Sequence, residues 1–206
     1  NMDAQISSKS QTWHATLKTL LSDEHTIMVL LGIIVGVAGG YGAVGFRHLI
    51  NFIQSIAYGS SAELLEVIES VPWHMRIAIP AIGGLIVGPI VYFFAREAKG
   101  HGVPEVMYAV ALKQGIIRKR IVFIKALVSA VCIGTGGSVG REGPIVQIGS
   151  AVGSTLGQLF NVSSNRMRTM VGCGAAAGIA ATFNAPIAGS IFALEIILGE
   201  FEIASF

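Results

Sequence analysis

Charge is absent from four long stretches of the chain, positions 27–46, 77–95, 143–165 and 169–194, and each approaches or exceeds the ~20 residues that a helix needs to cross a bilayer. Core helices of soluble proteins rarely run so long without a charge, so the pattern predicts helices that span or lie buried in a membrane. Inside these runs glycine recurs every fourth position, at Gly32, Gly36 and Gly40, at Gly149, Gly153 and Gly157, and at Gly174 and Gly178. Small residues four apart share a helix face and let neighbouring backbones approach, which predicts a densely packed all-α bundle. Pro104 and Pro144 follow Gly102 and Gly143, positions where proline suits the first turn of a helix. The stretch 103–112 is too short to span and reads as a half-helix, an element that in membrane proteins lines a binding site.

Composition supports this class. The 206 residues are 52% hydrophobic and 13% charged, about half the charged share of an average soluble domain. The net charge of +2 is too small, and the basic residues too dispersed, for a nucleic-acid partner. Their distribution carries topology instead. No Lys or Arg falls between Arg47 and Arg76, where Glu63, Glu66 and Glu69 lie, whereas Arg96, Lys99, Lys113, Arg118, Lys119 and Arg120 crowd the next connection. The positive-inside rule places that basic connection and the N-terminus in the cytoplasm of a plasma (inner) membrane protein. Positions 1–25 carry Asp3, Lys9, Lys18, Asp23 and Glu24 with no apolar run, the pattern of a cytosolic or interfacial lead-in helix rather than a cleavable signal; 26–206 form the membrane part. Cys132 and Cys173 lie in apolar segments without metal-ligand spacing, so no disulfide, metal or cofactor is predicted.

The richest chemistry lies in Gly134-Thr135-Gly136-Gly137-Ser138-Val139-Gly140-Arg141-Glu142-Gly143-Pro144, a glycine-rich turn opening onto an apolar helix. The first N–H groups of a helix lack intrahelical partners and carry the positive end of its dipole, so such a turn attracts an anion without a full positive charge. A permeant ion must also leave, and partial charges allow that. A phosphate-binding loop is excluded by the missing Lys-Ser or Lys-Thr ending, and the dinucleotide pattern fails at Val139. Glu142 stands at the mouth of the turn, where its carboxylate competes with a mobile anion for the same N–H groups; deprotonated it fills the site, protonated or displaced it frees it.

Gly140-Arg141-Glu142-Gly143-Pro144 resembles the signature of the CLC chloride channels and chloride/proton antiporters. Gly174-Ala175-Ala176-Ala177-Gly178, Phe183-Asn184-Ala185-Pro186-Ile187-Ala188-Gly189 and Phe192-Ala193-Leu194-Glu195 resemble that family's next helix pair, and Gly100-His101-Gly102-Val103-Pro104-Glu105 its other anion-coordinating turn. The resemblance implies the first inverted repeat of the CLC fold, one pathway per subunit of a homodimer, and chloride as transported ligand. It implies an anion site formed by His101, Gly102 and Val103 from one turn and Gly140, Arg141, Gly143 and Ile145 from the other, gated by Glu142. Lys125 falls where the family has a lysine that would make the path electropositive.

Three departures matter. Where familiar members have an anion-binding serine, this chain has His101, whose imidazole can donate in its place and adds charge when protonated. Proton-exchanging members often have a glutamate immediately after the position of Glu195; here it is Ile196, which cannot carry a proton and leans the reading toward a channel or a differently wired antiporter. Glu195, Glu200 and Glu202 are expected to be solvated charges at the cytoplasmic end. The chain also covers about half of the family's membrane domain, so it is expected to be part of a longer polypeptide whose second repeat supplies further donors and a tyrosine to the site. Two readings of other classes stand beside this one. One is an intramembrane enzyme using Glu142, His101 and Ser138, for which no Gly-x-Ser-x-Gly or His-Glu-x-x-His motif exists. The other is a non-conducting half that packs against a partner through the acidic loop around Glu63, Glu66 and Glu69.

Overall fold

Helix α1, Glu24–Tyr58, begins just before the first apolar run and continues past it through Arg47, so that its 35 residues reach about 52 Å at 1.5 Å per residue. In the computed structural model the described residues are 24–60, 64–94 and 102–199. Within them the chain is helical without a strand: α2 (Leu64–Ser70), α3 (Trp73–Phe94), α4 (Gly102–Leu112), α5 (Lys119–Gly134), α6 (Glu142–Leu159), α7 (Ser164–Phe183) and α8 (Pro186–Phe192), followed by a π-helical turn, Ala193–Leu198. The expected half-helix is α4, whose 11 residues give a rise of about 16 Å, half of a hydrocarbon core. The lead-in helix expected over 1–25 lies outside the described residues except where α1 begins.

The four uncharged runs do not become four equivalent spans. Among the described residues, α1 and α3 are the helices long and apolar enough to cross a membrane. They are also largely uncovered, with Ile33, Val37, Leu85 and Phe93 all exposed. The third run becomes α6, which carries Gln147, Ser150 and Ser154 and buries ten of its eighteen residues, so it is the centre of the packing rather than its hydrocarbon-facing rim. The fourth run breaks in two. Asn184 takes a left-handed conformation (φ 53°) that ends α7, Ala185 leaves the helical region (φ −132°, ψ 77°), and Pro186, lacking an N–H, opens α8.

α6 and α7 cross with their backbones in contact. A β-carbon on Gly149 would land on the carbonyl of Gly174, one on Gly174 would land on that of Gly149, and one on Gly153 would strike Met170. Ser150 Oγ donates to the Val171 carbonyl at 3.3 Å across the same seam. These two glycine stripes act as their spacing predicts, but the one on α1 differs. A β-carbon on Gly36 would meet nothing within 4 Å, while Gly39 faces Ala177 and Gly42 faces Ile148. Gly32 and Gly40 reach only van der Waals contact with α7, a β-carbon on them standing 3.9 Å from Cys173 Sγ and 4.0 Å from the Ala181 β-carbon, so the closest approaches of α1 are made at Gly39 and Gly42. Tyr58 closes the frame by donating to the Thr135 carbonyl at 3.0 Å, which ties the end of α1 to the end of α5.

Candidate functional site

Two of the short helix starts meet. A β-carbon on Gly102, the first residue of α4, would overlap the backbone of Gly143, and one on Gly143 would stand 3.1 Å from the Gly102 nitrogen. Gly102 thus admits no side chain at this approach, and a β-carbon on Gly143 would be a tight fit. Each helix has proline in its third position, Pro104 in α4 and Pro144 in α6, where an N–H would have no intrahelical acceptor. The meeting point therefore concentrates the positive ends of two helix dipoles, each equivalent to about half an elementary charge.

The loop from α5 into α6 is wound tightly. Gly137 N–H donates to the Cys132 carbonyl at 2.8 Å and Val139 N–H to the Gly137 carbonyl at 2.8 Å, which turns the chain before Gly140. Glu142, the first residue of α6, is exposed, and its carboxylate curls back over Gly140, filling the space a β-carbon there would need. The Arg141 side chain is half-buried in a small pocket of about 110 Å³ beside Arg47, Asn51 and Thr182, so it is the Arg141 backbone that belongs to the turn.

The sequence-predicted set is thus partly assembled. Gly102, Val103, Gly140, Arg141, Glu142 and Gly143 belong to the two helix starts. Ile145 does not fit as a donor: its N–H is engaged by the Arg141 carbonyl at 3.2 Å, and its side chain is buried against Gly178. Lys125 is not a free positive charge. It is buried, 6% exposed, and its Nζ lies 3.1 Å from Glu105 Oε2 in the first turn of α4. Ile196 lies on the π-helical turn, whose Ala193 and Ile197 pack in one core cluster with Val106 and Val110 of α4. Ser138 is exposed beyond the loop's tight turn, and Glu195 is exposed on the π-helical turn. His101, Glu63, Glu200 and Glu202 lie outside the described residues.

Sequence reasoning missed two features. Glu105 and Lys125 were visible as charges inside apolar surroundings, which in a membrane protein demand partners, but their separation of twenty positions hid the pairing. Gln147, one turn beyond the start of α6, is 1% exposed and its Oε1 has no hydrogen-bond partner. It lines a cavity of about 580 Å³ together with Glu105, Tyr108, Lys113 and Arg118. A cavity of that size with these polar groups on its wall has ample room for ordered water to serve the amide.

Comparison with known proteins agrees with this architecture. Positions 83–206 match the family described as voltage gated chloride channel. Over 182 residues the chain is 33% identical to a ClcB-like chloride channel protein of Ralstonia nicotianae, covering 86% of this chain and 42% of the relative. Over 176 residues it is 31% identical to the H(+)/Cl(-) exchange transporter ClcA of Klebsiella pneumoniae, covering 85% of this chain and 37% of that protein. The crystal structure of a slow cyanobacterial Cl-/H+ antiporter superposes with a TM-score of 0.69 at 25% identity, over 86% of this chain and 42% of that one. The chain thus spans about two fifths of the length of the relatives it matches. With 124 of 206 positions inside the family match, from 83 to 206, the chain belongs to the voltage gated chloride channel family, the CLC proteins that its helix-start motifs resemble.

Proposed function

We propose that the intact protein carries chloride across a membrane through the point where α4 and α6 begin, with Glu142 as its gate. The observation that supports this reading most strongly is the backbone contact of Gly102 with Gly143 beside a carboxylate folded over Gly140. Orphan N–H groups at two helix starts suit a halide that must bind and then leave. The Glu142 carboxylate is tethered where it can contest the same donors, so the anion enters when the side chain is neutralised or swings away. The Glu105–Lys125 pair links α4 to α5 and fixes the orientation of the α4 start. No covalent chemistry is involved.

Membership of the family makes this an integral membrane protein, consistent with α1 and α3. The basic connection leading to α5 favours a cytoplasmic N-terminus in the plasma (inner) membrane. The relatives' lengths favour a partner segment that completes the pathway, and the family favours a homodimer.

Glu142→Gln tests the gate. In liposomes holding the intact protein, the substitution is expected to leave chloride flux in place and to flatten its pH dependence. Retained pH dependence would remove Glu142 from the role. A second reading, exchange of chloride for protons, is favoured by 31% identity to an H(+)/Cl(-) exchange transporter, against which stands Ile196. Uphill proton movement driven by a chloride gradient demands the exchanger, and its absence favours the channel.

A further inference from the structure

On the side of α6 away from the cavity at Gln147, a groove of about 550 Å³ runs between α1, α5 and α6. Its walls are apolar, from Gly42 and Gly45 on α1, Phe123 on α5, and Ile148 and Leu156 on α6, and the single charged residue that lines it is Lys119. We propose that this groove holds one acyl chain of an anionic phospholipid whose phosphate pairs with Lys119.

The groove has a polar end and an apolar end. The Ile117 N–H donates to Ser154 Oγ at 2.9 Å, and Ser154 Oγ donates to the Gly115 carbonyl at 2.7 Å; these bonds pin the chain leading into α5 beside the last turns of α6. Lys119, the first residue of α5, therefore stands at the Leu156 end of the groove. The opposite end lies where Leu49, Ala126 and Ile148 line it, deeper in the bundle. From Ala38 to Leu49, its limits on α1, the groove extends eleven residues, a rise of about 17 Å, close to the ~15 Å of one leaflet's hydrocarbon. The ammonium thus stands where a headgroup would be when the chain fills the slot.

The charge and the space agree. Lys119 is exposed and is the first residue of α5, where the positive end of the helix dipole adds to its charge, and a basic group at the end of a slot between membrane helices suits a phosphate headgroup. The space exists because α1 carries glycine there: a β-carbon on Gly45 would meet nothing within 4 Å. A side chain at Gly45 could consequently occupy the groove without disturbing the fold. The inference is independent of the anion pathway, since none of these residues belongs to the two helix starts.

The test is native mass spectrometry of the intact protein, released from detergent after equilibration with phosphatidylglycerol or, separately, phosphatidylcholine. One phosphatidylglycerol per chain is expected to be retained in preference to phosphatidylcholine. Lys119→Ala is expected to weaken retention roughly fivefold, the effect of losing one basic residue at the membrane surface. Gly45→Leu is expected to abolish it while helicity and oligomeric size stay unchanged. Equal retention of both lipids, undiminished retention by Gly45→Leu, or no retained lipid because another part of the polypeptide fills the slot would each overturn the proposal.

Discussion

At the scale of single residues, two groups compete for one small volume beside Gly140. The Glu142 carboxylate takes the space beside Gly140 that any other residue there would fill with its own β-carbon. Gly140→Ala should therefore dislodge the carboxylate without removing it. Chloride flux measured against pH is expected to become shallower than wild type yet steeper than Glu142→Gln, and a profile identical to wild type would contradict the packing described. His101 supplies a second prediction. A serine at its position would donate with constant charge, whereas imidazole gains charge on protonation, so anion affinity is expected to rise as pH falls. Calorimetric chloride titrations from pH 5 to 8 should show that rise, and His101→Ser should remove it; a flat wild-type profile would show that the side chain does not face the anion.

Residue chemistry at the turn that opens α6 was legible in the sequence because it is local. Gly140 to Pro144 specify a turn, a carboxylate and a helix start within five positions, and the structure folds them as that order requires. What was not legible depends on partners far along the chain. The Gly102–Gly143 contact joins positions forty-one apart, and the Glu105–Lys125 pair neutralises a lysine that local reading treats as a free charge. Ile145 differs for another reason: as the fourth residue of α6 it is the first whose N–H has an intrahelical acceptor, the carbonyl of Arg141.

At the scale of elements, the crossing of α6 and α7 positions the site, because α6 begins at Glu142 and is held along its length by α7. Gly149 and Gly174 make that crossing a backbone contact. Gly149→Ala forces the helices apart and is expected to destabilise the protein by ~1–3 kcal/mol, in the range of overpacked cores. Gly36→Ala, on an open face of α1, is expected to be neutral or to stabilise by up to ~1 kcal/mol through helix propensity. Thermal unfolding in detergent separates the two, and equal midpoints would mean that the crossing is looser than described. Four-residue glycine spacing found the α6 and α7 seam, and on α1 it picked out Gly32 and Gly40, which reach van der Waals contact with α7, but not Gly39 and Gly42, which make the closer approaches.

At the scale of the molecule, the apolar runs gave the class and number of long segments but not their roles. Among the described residues α1 and α3 are the long apolar helices left largely uncovered, while α6 and α7 pack in the interior. An uncharged sequence cannot distinguish lipid from protein as its neighbour; glycine and serine content marks the difference here. The short α4 and the start of α6 gain meaning only through the assembly that brings them together. If this assembly holds a halide, bromide reports it. Crystals of the intact protein grown in bromide, and of its Glu142→Gln form, should show anomalous density at the starts of α4 and α6, within hydrogen-bond reach of the backbone around Gly143 and stronger in the variant. Bromide density elsewhere in the membrane region, with none at these helix starts in either form, would contradict the account.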